Sequence, residues 1–346
     1  MKKTPTLVAK IAIDKRWRYG LQDRSGLPLK TIAKIEAITL LTLAKMHRTS
    51  NLGAIALIAG FIGSITPLMA AEPVEIASIA QTGNCPGCNL SGARLRGLDF
   101  RDRPANFQGA NLDTVDLSQS NLSNANFIGA NLSNAQLYGT VLRSANFSEA
   151  ILTGITIRSS DLRSAILSNA NLDNAILFMV SLDNSQLNNA SLNGAAFRNV
   201  YLGGTNLQNA SLASINLQNV YLVGANLINA NLSNATFDSV KLSKALLDNA
   251  DLSDGKLQGV SFDGSSMVNT NLSNANLTRA DLPDTNLENA NLSNADLQYA
   301  NFSGSNLQGA NLTDADITGA YFYKANLCNA ILPDGRTGEC PPESAE

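Results

Sequence analysis

The sequence predicts an all-β protein, a quadrilateral β-helix with about 20 residues per coil that follows a helical or hydrophobic leader. Every fifth residue from Phe107 to Leu332, 46 positions in all, is Leu, Phe, Ile or Met. Two residues before these central positions, 38 of the 46 residues are Ala, Ser, Thr or Gly. A period of five fits neither the helical repeat of about 3.6 residues nor the strand repeat of about two. It is typical of a solenoid, in which each unit buries its apolar side against its neighbours.

The corners of the coil follow from the residue two places after each centre. Asn or Gly stands at 29 of the 45 positions from Gly109 to Asn329. These residues tolerate a positive φ, which the third residue of a type II turn requires. A turn every five residues gives a coil with short, flat sides.

The number of sides follows from the spacing of unusual core residues. Phe107, Phe127 and Phe147 recur at a spacing of 20, and Val180 begins a series of valines with the same spacing. Side chains stacked in successive coils should match in size. Four repeats of five therefore make one coil, which has four sides.

The repeat resembles the pentapeptide-repeat family, whose motif A(N/D)LXX stands at residues 130–134 and 290–294. The resemblance covers roughly two thirds of the chain, from 105 to 332. It implies that the β-helix is right-handed. We interpret the protein as an exported, rod-shaped, non-catalytic scaffold of this family that presents its faces to partners.

The leader predicts export. Residues 1–49 carry eleven Lys and Arg, whereas Ser50 to Ala71 carry no charge. Residues 50–71 therefore form a signal peptide cleaved near Ala71, or an uncleaved membrane anchor. Both alternatives put the repeats on the non-cytoplasmic side. The periplasm follows from the leader, and a thylakoid lumen enters through the family resemblance. We expect membrane contact only through residues 1–71. The basic leader 1–49 is either helical, or its residues 1–45 are not translated.

The remaining boundaries follow from breaks in the repeat. Residues 72–84 are interpreted as a linker, 85–332 as the β-helix and 333–346 as a C-terminal cap. Within the β-helix, Arg103-Pro104 is an insertion of two residues that shifts the phase of the repeat. Both ends of a solenoid expose unpaired strand edges, so they need caps. An end-to-end dimer is compatible with such ends, and the oligomeric state is left open.

Four cysteines stand as Cys85/Cys88 and Cys328/Cys340. The pairs lie at opposite ends of the predicted solenoid, which excludes one zinc site made by all four. With an export signal, two local disulfides that staple the caps are favoured, and exported members of the family look similar at both ends. The alternative is a Cys-x-x-Cys redox protein that uses Cys85 and Cys88 as a dithiol.

The sequence offers no candidate catalytic residue, cofactor site or metal site. The single histidine, His47, lies in the leader, and the serines occupy motif positions without a base to activate them. Nucleic-acid binding is not expected, because residues 105–332 hold 17 acidic and nine basic residues. The resemblance implies another alternative function, because some cytoplasmic members of the family mimic the DNA duplex: inhibition or protection of a DNA-binding enzyme such as gyrase. That function needs dense carboxylates on one face, whereas here they are scattered.

Exposed aromatic and arginine side chains predict a docking face for a protein or cell-envelope partner of unknown identity. Positions that recur once per coil place these side chains in neighbouring outward columns. The candidate partner-binding residues are Tyr138, Arg143, Arg158, Arg163, Phe178, Met179, Arg198, Tyr201 and Tyr221.

Overall fold

The computed structural model of the chain describes residues 79–340. It is a β-solenoid in which parallel bridges join residues 20 apart, from Asn106↔Asn126 to Asn311↔Ile331. The fold class and the coil length predicted from the sequence are therefore confirmed. The leader and the predicted signal peptide or anchor lie outside the described residues. Between residues 79 and 340, no helix is long and apolar enough to cross a bilayer.

The core runs along the inside of the coils and contains the two inward residues of every repeat. The central residues and the small residues two places before them are almost all buried. The rings of Phe107 and Phe127 stack with centroids 5.3 Å apart, and those of Phe127 and Phe147 with centroids 4.7 Å apart. The three rings form one column, which is the arrangement that their regular spacing in the sequence predicts.

Each coil turns at the residue two places after the centre. Gly109 has φ 63° and Asn124 has φ 58°, values that suit the third residue of a type II turn. The Ala110 N–H closes the turn by donating to the Phe107 carbonyl at 3.0 Å. We number the four sides of the coil by their central residues: side 1 is in register with Phe107, side 2 with Leu112, side 3 with Leu117 and side 4 with Leu122.

Side 3 contains all the extended strands found within residues 79–340. They pair in parallel in chain order, so that each strand lies one coil after the last. In every strand the middle residue is buried and its two neighbours point outward. The strands are β1 (Gln136–Tyr138), β2 (Thr156–Arg158), β3 (Ile176–Phe178), β4 (Ala196–Arg198), β5 (Asn216–Gln218) and β6 (Thr236–Asp238).

The N-terminal end corrects one boundary. Residues 79–82 are helical rather than linker: Ile79 is buried, and its carbonyl accepts a hydrogen bond from Gly83 N–H at 2.7 Å. The solenoid starts at Asn84, which bridges Asn106, so the first coil has 22 residues. The two extra residues include Arg103, whose guanidinium donates to the Gln81 carbonyl. This insertion ties the helical turn to the first coil.

The C-terminal segment folds back on the last coil. Thr337 bridges Ile331 in the antiparallel direction, and Asn329 N–H donates to the Gly338 carbonyl at 3.1 Å. Residues 333–340 thus lie against sides 1 and 2 of the last coil. The handedness of the coil stays a prediction.

Candidate docking surface

Four of the predicted site residues form one outward column on side 3. The register of β1 to β4 places Tyr138 beside Arg158, Arg158 beside Phe178 and Phe178 beside Arg198. Each is the last residue of its strand, so each side chain points away from the core. Tyr138 is 52% exposed, and the Arg198 guanidinium carbon lies 5.9 Å from the centroid of the Phe178 ring. The column therefore alternates aromatic rings and cations along the solenoid.

Two shallow depressions lie beside this column and share Arg158. One has a volume of about 390 Å³ and is bounded by Ile176, Phe178, Ala196 and the strand after them. The other has a volume of about 410 Å³ and lies between β1 and β2. In the first depression the methyl group of Ala196 lies between the larger side chains of Ile176 and Asn216. The gap left by this small residue makes side 3 concave.

The tyrosine pair lies on side 4. Tyr201 and Tyr221 stack with ring centroids 5.1 Å apart, and the Lys241 Nζ lies 5.5 Å from the Tyr221 ring. Met179 stands at the corner between sides 3 and 4, where it is 53% exposed and has φ 55°. The aromatic surface thus continues from side 3 around this corner.

Arg143 and Arg163 occupy the neighbouring column on side 4, but both are bound to Asp161. The Asp161 carboxylate accepts from Arg143 Nε at 2.5 Å and from Arg163 Nη2 at 2.8 Å. Hydrogen bonds from Arg163, and then from Arg143, lower the pKa of Asp161 to about 2. Both arginines are therefore held by one carboxylate within the protein, and the cluster keeps a net charge of +1. The sequence alone did not show this pairing.

Sequence reasoning missed how completely the surface is divided. All thirteen Lys and Arg and all six tyrosines between Cys85 and Leu332 lie on sides 3 and 4 or at the corners that end them. Sides 1 and 2 present mainly Asn and Ser, and their amides form ladders such as Asn209 Nδ2 to Asn189 Oδ1 at 3.2 Å. Sorting every charged and aromatic residue by its position in the coil would have found this division.

The carboxylates are not concentrated in the same way. From 105 to 332, sides 1 and 2 hold eight acidic and no basic residues, and sides 3 and 4 hold nine of each. The net charge of −8 thus lies on sides 1 and 2, spread over eleven coils. No face within the described residues has the dense row of carboxylates that a mimic of the DNA duplex needs.

The cysteines pair locally at the two ends. Cys85 faces Cys88, with Cα atoms 5.5 Å apart, and Cys328 faces Cys340, with Cα atoms 4.1 Å apart. The first pair lies in the first coil beneath Phe107, and the second lies where the folded-back cap meets side 1. The dithiol alternative for Cys85 and Cys88 stays a prediction.

Known proteins similar to this chain are pentapeptide-repeat proteins. One is HetL, involved in heterocyst differentiation regulation, from the cyanobacterium Nostoc sp. strain PCC 7120. It is 31% identical, and the match covers 78% of this chain and 100% of HetL with a TM-score of 0.26. Another is Rfr23 from the cyanobacterium Cyanothece 51142, which is 30% identical over 40% of this chain and 94% of its own, with a TM-score of 0.21. QnrB1, a plasmid-mediated fluoroquinolone resistance protein, is 19% identical over 64% of this chain and 92% of its own, with a TM-score of 0.22.

No curated protein sequence matches the chain. The family profile for pentapeptide repeats matches in eight copies. Together they cover residues 105–143, 141–177, 180–214, 215–254, 256–294 and 295–332. With a match over more than half of its length and with the coil geometry described above, the chain belongs to the pentapeptide-repeat family.

Proposed function

We propose that this protein is an exported, non-catalytic scaffold that binds a protein or cell-envelope partner through sides 3 and 4. Support comes from one observation above all: the exposed aromatic rings and the cations share two adjacent sides. Aromatic and arginine side chains dominate the binding energy of protein interfaces. The opposite sides carry amide ladders, which satisfy their own hydrogen bonds.

Export is the second part of the proposal, and it is supported by the basic leader and by the uncharged residues 50–71. Both cysteine pairs are then oxidised, since disulfides persist in oxidising compartments. Cell fractionation followed by N-terminal sequencing tests the location and the cleavage site. Thiol labelling of the unreduced protein is expected to find no free cysteine. A cytoplasmic product with four labelled thiols would contradict export.

The docking surface is tested by replacing Phe178, Tyr201 and Tyr221 with Ser. We expect this triple variant to lose the partner that wild-type protein retains when it is incubated with envelope extract. The circular dichroism of the fold should be unchanged, because all three side chains point outward.

A matched control keeps the test specific. Ile128, Ile151 and Ile228 are outward aliphatic residues on sides 1 and 2. Replacing these three with Ser removes a similar apolar area from the other half of the surface. Retention of the partner by the control and its loss by the Phe178 variant support the proposal. Equal retention by both variants excludes sides 3 and 4 as the docking surface.

A further inference from the structure

Side 3 is free of carboxylates over five coils. Its first acidic residue, Asp116, faces Arg96 at 3.5 Å, and the next is Asp238, which accepts from Gln218 Nε2 at 3.0 Å. Between these two acids, side 3 carries only two charged groups, and both are arginines. This segment has a charge of +2 within a repeat array whose net charge is −8. The local charge is therefore complementary to an acidic partner.

The two arginines are available for such a partner. Within residues 79–340, neither Arg158 nor Arg198 lies within ion-pair distance of a carboxylate. Arg198 rests over the Phe178 ring, which holds its guanidinium at the surface while its N–H groups can still donate. Arginine binds carboxylates through two parallel hydrogen bonds.

Between the arginines the surface is apolar and concave. Ile176, Phe178 and Ala196 bound the depression of about 390 Å³, and Ile176 is 45% exposed. A partner that reaches both arginines must cross this depression. An apolar side chain placed between two carboxylates would fill it, so charge and shape together specify an acidic segment with an apolar centre.

We propose that side 3 binds an acidic amphipathic helix of a partner protein, which lies along the solenoid and across strands β2 to β4. Its carboxylates bind Arg158 and Arg198, and an apolar side chain between them enters the depression beside Ala196. This inference rests on the proposed scaffold function and deepens it by naming the chemistry of the partner.

The spacing of the arginines favours a helix. Their Cα atoms lie two strands apart, about 9.6 Å for strands spaced by about 4.8 Å. Helix residues seven positions apart lie on one face, about 10.5 Å apart. A residue three or four positions after the first lies on the same face between them, and an apolar residue fits there. In an extended segment, residues on one face are about 6.6 or 13 Å apart. The strand length of side 3, three residues or about 10 Å, also matches a helix diameter of about 10–12 Å.

The test is a display selection of peptides of ~18 residues, about five helical turns, on the full-length protein. We expect enriched peptides to carry Asp or Glu seven positions apart with an apolar residue between them, and to become helical on binding. Fluorescence anisotropy measures the affinity of these peptides. The double variant Arg158→Gln and Arg198→Gln should lower that affinity by about tenfold or more. Ala196→Leu, which fills the depression, should do the same. Ala213→Leu, an outward alanine on side 2, is the control and should have no effect.

Three results would overturn the proposal. The first is enrichment of peptides without the spaced acids, or no enrichment above an unrelated protein. The second is binding that is unchanged by the arginine and Ala196 variants. The third is equal, arginine-dependent binding of vesicles that contain anionic lipid, because this would assign the surface to a membrane.

Retention of the envelope partner by the two variants distinguishes the acidic-helix proposal from the scaffold proposal. If the triple variant of Phe178, Tyr201 and Tyr221 loses the partner but the two-arginine variant retains it, docking through sides 3 and 4 is supported and the acidic-helix proposal fails. If the partner is retained by both variants, both proposals fail. If both variants lose it and a selected peptide competes for binding, both are supported.

Discussion

At Met179 the chain accepts a conformation that its side chain does not favour. This residue has φ 55° at the corner position of the repeat, which is Asn or Gly at 29 of the 45 positions from Gly109 to Asn329, and its side chain is 53% exposed. A left-handed conformation costs an ordinary residue about 1 kcal/mol or more. Little of that cost is offset by packing, because the side chain is half in solvent. Its location between the side 3 column and Tyr201 suits a role in binding.

Met179→Asn is therefore expected to stabilise the protein by about 1 kcal/mol, and to weaken the retention of the partner. Urea unfolding measures the first effect and partner retention measures the second. Asn274→Gly, on side 2 with φ 57°, is the control and should change stability by only a few tenths of a kcal/mol, with retention unaffected. A variant that is more stable and binds equally well would show that Met179 has no part in docking.

The ion pairs of Asp161 predict a pH dependence. Its pKa is about 2 in the folded protein, mainly because Arg163 donates to the carboxylate, and about 3.9 in an unfolded chain. The carboxylate therefore contributes stability that is fully present above about pH 5 and is lost as the pH falls towards 2. After allowance for solvent screening, the contribution is about 1 kcal/mol.

Asp161→Asn should lower the free energy of unfolding by about this amount at pH 7. The difference between wild type and variant should vanish near pH 2. Asp263→Asn removes an exposed carboxylate from the same side and serves as the control. Urea titrations over this pH range measure both differences, and an Asp161 effect that does not change with pH would contradict the prediction.

Among the elements, the column of phenylalanines on side 1 is the best example of how stacked residues stabilise the coil. Phe127 is fully buried between Phe107 and Phe147 and stacks with both. Phe127→Ala removes contacts in three coils at once, so we expect a loss of about 3–5 kcal/mol. Phe127→Leu, which restores the residue most common at this position, should cost much less.

Chemical denaturation of both variants measures this difference. If Phe127→Ala cost as little as Phe127→Leu, neighbouring coils would have to collapse into the space, and the stack would not determine the local stability.

At the element scale the sequence predicted much, for a definite physical reason. The main contacts of a coil join residues one coil apart, so matched side chains such as Phe107 and Phe127 are visible as a period. The helical turn at 79–82 was missed, because it follows no period. The binding of Arg143 and Arg163 to Asp161 was missed for a related reason: it depends on how long side chains cross from one coil to the next. The depression at Ala196 could not be predicted from a repeat pattern, because it depends on the sizes of side chains that are neighbours in space.

At the scale of the whole molecule, stability should be nearly additive over coils, since each coil contacts only its neighbours. Deletion of residues 266–285 removes one full coil and joins Ser265 to Asn286. The register is kept, because Asn286 pairs with Ser266 one coil earlier and takes its place. The shortened protein should fold, with unchanged circular dichroism per residue and a slightly lower melting temperature.

Deletion of residues 266–287 is the matched comparison. It leaves one side two residues short. The first coil accommodates two extra residues at Arg103-Pro104, but a side that lacks two residues cannot span the distance between its corners. This protein should lose cooperative unfolding. If the two deletions behaved alike, the four-sided register would not be what holds the coils together.

The segregation of every cation and tyrosine between Cys85 and Leu332 onto two adjacent sides gives the molecule a front and a back. Duplication of a coil adds one row to the front, so the docking surface can grow by whole coils while it stays on the same two sides. The back, covered in amides that are already bonded to one another, offers a second partner little to hold. If sides 3 and 4 are the docking surface, we expect the protein to hold one partner along its length and not to bridge two.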